Sequence, residues 1–135
     1  MAARKTEDEI QYECYIWFHN TYKDLRGCLF AVPNGGARSA LQGKIFKMTG
    51  VVAGVSDMLF MYNGVTYCFE LKTNIGKQSE KQIWWQEVVQ KQGFQYFIIR
   101  DLNTFQQIIN SILRVPATRS IIEEFEQYKW KKTEE

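Results

Sequence analysis

The chain has 135 residues, 45% of them hydrophobic and 15% aromatic, and a net charge of +2. This length fits one compact domain, and the apolar content is enough to build a core, which excludes wholesale disorder. The sequence has neither an apolar run long enough to cross a bilayer nor a signal peptide at its polar start, so we expect an intracellular, cytoplasmic protein without membrane contact.

Residues 7–22 have the spacing of an amphipathic helix. Its apolar face comprises Ile10, Cys14, Trp17 and Phe18. Thr6 and Glu9 have the spacing of a capping box, in which the cap residue and the third helical residue bond to each other's backbone N–H groups. The sequence therefore predicts a helix that begins directly after Thr6.

Residues 27–50 are rich in glycine and contain Pro33, which predicts a long irregular connection with a short helix around residues 39–48. No acidic residue occurs between Asp24 and Asp57, whereas the same stretch contains several basic ones. These are Arg26, Arg38, Lys44 and Lys47. A basic segment that leads into a carboxylate is the layout of a phosphate-binding site, although a solvated surface with scattered lysines fits the charge pattern equally well.

Residues 55–73 have the pattern of two strands joined at Asn63-Gly64, the strongest short-range signal for a β-hairpin. The segment between Asp57 and Glu70 carries no charge, so these carboxylates stand at the ends of an apolar hairpin. In an antiparallel pair that turns at residues 63 and 64, position 57 lies opposite position 70 if no bulge intervenes. We therefore expect the two carboxylates to meet across the hairpin.

Ser79 and Gln82 again have capping-box spacing, which predicts a helix that ends at Gly93. Its apolar side chains are expected to face inward. These are Trp84, Trp85, Val88 and Val89.

Residues 95–100 are predicted to form a strand, and residues 104–113 a further helix. The core stripe of that helix comprises Phe105, Ile108, Ile109 and Ile112. After Pro116 a charged helix is expected to extend to about Trp130. The order of helices and strands predicts an α/β fold, a mixed sheet flanked by helices.

Glu70, Leu71 and Lys72 carry the strongest chemical signal of the chain. Side chains alternate along a strand, so Glu70 and Lys72 share one face and Leu71 points to the other. A Glu-x-Lys pair alone is a weak signal, but a second carboxylate across the hairpin, at Asp57, is poorly explained as packing because unpaired buried charges are costly. Hard carboxylate oxygens suit magnesium, and a lysine beside them could orient or deprotonate a water or stabilise charge on a phosphate.

Several sequence blocks resemble the VRR-NUC family, the virus-type replication and repair nucleases of the PD-(D/E)XK superfamily, over about residues 6–110. The matching blocks are Glu7-Asp8-Glu9-Ile10-Gln11, Pro33-Asn34-Gly35-Gly36 with Arg38, Gly50-Val51 through Gly54-Val55-Ser56-Asp57, Glu70-Leu71-Lys72, and Ser79 with Gln82. The resemblance implies a PD-(D/E)XK restriction-endonuclease-like core in residues 1–114, with residues 115–135 as a C-terminal helical extension. Relatives often have valine where this chain has Leu71, on the far face of the strand, where the change should not affect the chemistry.

The resemblance also implies site residues. The family's catalytic motif corresponds to Asp57, Glu70 and Lys72, and a helical glutamate assists a metal cofactor, Mg²⁺ or Mn²⁺. Asp57 and Glu70 are thus expected as metal ligands, and Glu7 best fits the helical position. Glu9 can instead complete the helix cap with Thr6.

The expected substrate contacts lie in the glycine-rich loop and at the start of the third predicted helix. Backbone N–H groups of Asn34, Gly35 and Gly36 could approach a phosphate closely, and Arg38 could add a guanidinium to it. A plain turn with an exposed arginine is the alternative. Gln82 could touch DNA or the catalytic water, although helix capping explains it equally well.

The expected function is a magnesium-dependent DNA endonuclease that hydrolyses phosphodiester bonds. By resemblance it would be a stand-alone, bacterial or phage-encoded enzyme of replication or repair, a homodimer that acts on branched DNA such as a four-way Holliday junction. A nuclease with other DNA or RNA substrates is one alternative. A nucleic-acid-binding module that keeps the fold without cleaving is another.

Overall fold

A computed structural model describes residues 4–33 and 39–114 of the chain. The loop residues Asn34, Gly35, Gly36 and Arg38 lie outside the described residues, as does the segment 115–135 with its predicted helix. The predicted division of the chain at residue 114 therefore stays a prediction.

Helices and strands alternate along the described chain, and the strands form one mixed sheet. The elements are α1 (Glu7–Thr21), a short 3₁₀ helix (Lys23–Leu25), β1 (Leu29–Ala31), α2 (Ala40–Met48), β2 (Met58–Tyr62), β3 (Val65–Leu71), α3 (Glu80–Lys91), β4 (Gln95–Ile99) and α4 (Leu102–Leu113). The strand order is β1-β2-β3-β4, with β3 and β4 parallel and the other neighbours antiparallel. The predicted α/β fold with a mixed sheet flanked by helices is confirmed.

The connection predicted as irregular between residues 27 and 50 contains a strand that the sequence pattern did not indicate. In β1, Leu29 pairs with Phe60 and Ala31 with Met58, and Leu29 is buried in the core. Three residues are too few to display an alternating pattern, so only pairing with β2 defines this strand. The short helix predicted around residues 39–48 is confirmed as α2.

The β2–β3 hairpin has the predicted register. Met58 pairs with Phe69, and the turn residues Asn63 and Gly64 have positive φ angles of 52° and 77°, as a type I′ turn requires. Asp57 directly precedes β2, so the register places it beside Glu70 of β3.

The hydrophobic core lies between one face of the sheet and the pair α1 and α4. Its fully buried members include Cys14, Phe18, Phe60, Phe69, Leu71, Ile99, Phe105 and Ile109. The predicted apolar face of α1 is confirmed, with Trp17 partly buried against this core. The predicted stripe of α4 is confirmed as well, although Ile108 is only partly buried and the helix begins earlier, with Asp101 as its cap.

The opposite face of the sheet carries the candidate site residue Glu70 and is bordered by α3. The prediction that the four apolar residues of α3 point inward is wrong for two of them. Trp84 is 53% exposed and Val88 is also exposed, while Trp85 packs against Tyr96. Trp85 and Val89 are half-buried, so only a narrow part of the helix meets the sheet. None of the described helices is long and apolar enough to cross a membrane.

Candidate functional site

Glu70 is the buried centre of the candidate site. It lies near the end of β3 on the face opposite Phe69 and Leu71, and it is only 1% exposed. Its Oε1 accepts a hydrogen bond from Nε2 of Gln82 (2.8 Å), and its Oε2 accepts one from the hydroxyl of Tyr96 (3.3 Å). Within the described residues, the hydrogen bonds to this carboxyl group thus come from neutral donors.

Asp57 lies across the hairpin from Glu70 and is anchored by the backbone. Its Oδ2 accepts a hydrogen bond from the N–H of Leu71 (2.7 Å), and its carbonyl accepts one from the N–H of Val32 (2.8 Å). Burial raises the pKa of Glu70 to about 8, and its hydrogen-bond and charge interactions with Asp57 act in the same direction. Lys72 and Tyr96 counter only part of this rise. The two carboxyl groups therefore meet, as the hairpin register predicts.

Lys72 follows β3 and brings a cation to the same end of the sheet. It is 8% exposed, and its N–H donates to the carbonyl of Ile99 (2.9 Å). Its Nζ lies 3.6 Å from Oε1 of Glu7, the first residue of α1. Glu7 is thereby brought to the site through Lys72.

The donor set of the site suits a hard divalent cation with few protein ligands. Within residues 4–33 and 39–114, no group of three or more histidine, cysteine, aspartate or glutamate side chains is placed to hold a metal ion. Magnesium, however, is commonly bound by one or two carboxylates plus waters and substrate phosphate. The raised pKa of Glu70 beside Asp57 marks a place where a cation would offset the repulsion between two carboxylates. The predicted role of Glu7 as a third metal ligand stays a prediction.

The Gln82 side chain caps α3, as one interpretation of its position predicted, and it also contacts Glu70, whereas its contact with DNA or the catalytic water stays a prediction. Its N–H donates to Oγ of Ser79 (3.2 Å), and its Oε1 accepts from the N–H of Ser79 (2.8 Å), which completes the predicted capping box of α3. Its Nε2 is left for Glu70. The cap therefore aims the amide group at the buried carboxylate.

Tyr96 and Gln78 belong to the site, although no sequence pattern indicated a role for them. Nε2 of Gln78 donates to the Tyr96 hydroxyl (3.3 Å) and to Oε1 of Gln86 (2.9 Å). Burial raises the pKa of Tyr96, and the charge of Glu70 raises it further. The available signal was a hydroxyl-bearing side chain beside the apolar residues 97–99 of the strand, since a buried tyrosine hydroxyl usually needs a partner.

Gly54, one of the glycines in the sequence blocks before Asp57, lies against the start of α3. Its φ is +92°, and a Cβ there would lie 2.3 Å from the carbonyl oxygen of Lys81. Only glycine permits this approach without a shift of the backbone. The loop before β2 is thereby seated beside Gln82. The predicted phosphate contacts of Asn34, Gly35, Gly36 and Arg38 lie outside the described residues.

The fold agrees with that of a solved structure described as a VRR_NUC domain protein. The two share 18% sequence identity and a TM-score of 0.67, over 82% of this chain and 89% of the other. The chain has a VRR_NUC fold. No protein-family model and no curated protein matches the chain. The VRR_NUC fold is the one that the sequence blocks around Asp57 and Glu70 indicated.

Proposed function

We propose that the protein is a metal-dependent DNA endonuclease that hydrolyses phosphodiester bonds. The observation that carries this proposal is the pairing of buried Glu70 with Asp57 across the hairpin, with Lys72 beside them. A buried carboxyl next to a second carboxyl is costly to stability, and such perturbed groups cluster at functional sites. The VRR_NUC fold supports a nuclease-like function for this arrangement.

Asp57 and Glu70 would hold the cofactor, Mg²⁺ or Mn²⁺. When bound, such an ion acts as a Lewis acid toward a phosphate oxygen and lowers the pKa of a coordinated water. Gln82 and Tyr96 keep the Glu70 carboxylate in position, and each carboxylate oxygen retains a lone pair beyond the hydrogen bond it accepts. Glu7 is proposed as an additional ligand.

Lys72 is proposed to stabilise negative charge on the reacting phosphate or to orient the attacking water. Its ammonium is nearly buried and lies 3.6 Å from a partly exposed glutamate, Glu7. The Lys72 side chain is therefore held at the site and does not extend into solvent.

DNA is the proposed partner. The stretch between Asp24 and Asp57 has basic and no acidic residues and leads directly to the site. Asn34, Gly35, Gly36 and Arg38 are proposed to bind a phosphate there, and Gln82 to contact DNA or the attacking water as well as Glu70. An RNA or a different DNA structure remains the alternative substrate.

We propose a stand-alone, bacterial or phage-encoded enzyme of replication or repair that works in the cytoplasm on branched DNA such as a Holliday junction. Two symmetric cuts in such a junction suit a homodimer. The exposed Trp84 and Val88 of α3 offer an apolar surface for that contact.

A cleavage assay with labelled plain duplex, flap, single-stranded and four-way-junction DNA tests the proposal. We expect cleavage with Mg²⁺ or Mn²⁺ and none in excess chelator. Glu70→Gln serves as the control that should not cleave. If wild-type protein binds these DNAs but cleaves none of them with either ion, the non-cleaving nucleic-acid-binding module is the better description.

A further inference from the structure

Helix α2 presents an apolar stripe that the rest of the described chain does not cover. Leu41, Ile45 and Met48 follow helical spacing and so lie on one face, and their exposed fractions are 68%, 48% and 80%. α2 has no buried residue. Such a helix gains little stability from packing on its own domain, so its apolar face is available to a partner.

The segment that contains α2 is anchored at the candidate site. Before α2, the N–H of Val32 donates to the carbonyl of Asp57. After α2, Gly54 packs on the backbone of Lys81, next to the Gln82 that holds Glu70. The segment is thus tied to the candidate site on both sides of α2, at Val32 and at Gly54.

The charge of this segment favours a polyanion over a second copy of the chain. α2 carries exposed Lys44 and Lys47, and no acidic residue occurs between Asp24 and Asp57. Two copies that met through α2 would place like charges against each other. A phosphate backbone would instead neutralise them.

We propose that α2 binds DNA at unpaired or unstacked bases, with Leu41, Ile45 and Met48 against the bases and Lys44 and Lys47 on flanking phosphates. This inference rests on the proposed nuclease function and names the kind of DNA that the site takes. Leucine, isoleucine and methionine are side chains that wedge between base steps. Insertion costs least where bases are already unstacked, so α2 directs the site toward branched, bulged or flapped DNA.

Binding measurements in the Asp57→Asn background separate recognition from cleavage. Asparagine keeps an oxygen that can accept the hydrogen bond from Leu71. Fluorescence anisotropy would compare a paired duplex with the same duplex carrying a bulge of unpaired thymines. We expect tighter binding to the bulge, by about tenfold.

Variants on α2 should separate the contribution of its apolar residues to DNA binding from that of its lysines. The triple change Leu41→Gln, Ile45→Gln and Met48→Gln keeps helix-forming residues on an exposed face and should abolish the preference for the bulge while leaving duplex affinity unchanged. Lys44→Gln with Lys47→Gln should weaken both probes equally and lower the salt slope by about two. Met61→Gln, at the other end of β2 and 52% exposed, is the matched control that should change neither.

The possible results distinguish DNA binding by α2 from a dimer contact through α2 and from a failure of the nuclease function. An unchanged preference in the triple variant, or no preference in the parent, overturns the assignment of α2. A triple variant that converts a dimer into a monomer in light scattering also overturns it, because α2 would then bind a second copy. A retained and α2-dependent preference without any cleavage by wild-type protein leaves this assignment standing and overturns the nuclease function instead.

Discussion

The side chain of Gln82 connects the cap of α3 to Glu70. Its Oε1 accepts from the backbone N–H of Ser79, and its Nε2 donates to Oε1 of Glu70 at 2.8 Å. A helix start and a buried carboxyl group therefore depend on one amide. Because both contacts belong to the same side chain, helix capping and site geometry are physically coupled.

Gln82→Ala should lower the free energy of unfolding by more than a cap alone explains. Gln42→Ala is the matched control, since Gln42 forms the same capping box with Ser39 in α2 but has no hydrogen bond to a carboxylate among the described residues. Loss of a cap contact costs about 1 kcal/mol, and a buried carboxyl left without its donor costs about 1–3 kcal/mol more. Denaturant unfolding measures both variants. Equal losses of unfolding free energy in Gln82→Ala and Gln42→Ala would show that the contact between Gln82 and Glu70 contributes nothing to stability.

Tyr96→Phe should destabilise the protein by about 1–3 kcal/mol, because it leaves Glu70 and Gln78 without the shared hydroxyl. It should also weaken Mn²⁺ binding measured by calorimetry, since Glu70 is then less well oriented. Tyr67→Phe is the control, a similarly buried tyrosine on β3 with no hydroxyl hydrogen bond among the described residues. The prediction fails if the two variants behave alike.

The stability of the metal-free protein should depend on pH through Glu70. Its pKa is about 8 in the folded protein, against an ordinary value of 4.5, so the folded state holds the extra proton between these values. The contribution of Glu70 to the free energy of unfolding is fully present below pH 4.5 and is lost as the pH rises to about 8. Unfolding in chelator across this range should show a decline that Glu70→Gln flattens. A parallel decline in Glu70→Gln would assign the effect to other groups.

Asp57→Asn and Glu70→Gln should each reduce cleavage by at least about 100-fold while DNA binding persists or tightens, because each removes a proposed metal ligand and a negative charge near the phosphate. Both substitutions preserve shape and an acceptor oxygen, so folding should survive. Cleavage and anisotropy assays on the same preparations measure the two effects. Substantial cleavage by either variant would contradict the assignment of the metal ligands.

The protein should be a homodimer at micromolar concentration, with twice the 15.9 kDa mass of the chain in light scattering. Trp84→Gln should shift it toward the monomer because this tryptophan, 53% exposed, is the proposed interface residue. The control is Met61→Gln, exposed on the hairpin. A wild-type monomer that makes single nicks in a four-way junction would exclude the resolvase assignment while leaving the nuclease proposal intact.

Local patterns in the sequence were sufficient for the hairpin and the helix starts. Asn63-Gly64 defines a type I′ turn, and because strand pairing counts outward from that turn, positions 57 and 70 had to meet. The capping boxes at Thr6 and Ser79 involve residues three apart and form as predicted. These features depend on neighbours along the chain, which is why they can be read without the fold.

Contacts between distant segments were decided only by the tertiary structure. The strand Leu29–Ala31 exists because β2 lies beside it, and the exposure of Trp84 depends on how little of α3 the sheet covers. Tyr96 reaches Glu70 because β4 adds in parallel next to β3, a register that no local pattern encodes. Sequence spacing thus determined which carboxylates face each other, whereas packing of remote elements determined how deeply they are buried and which donors hold them.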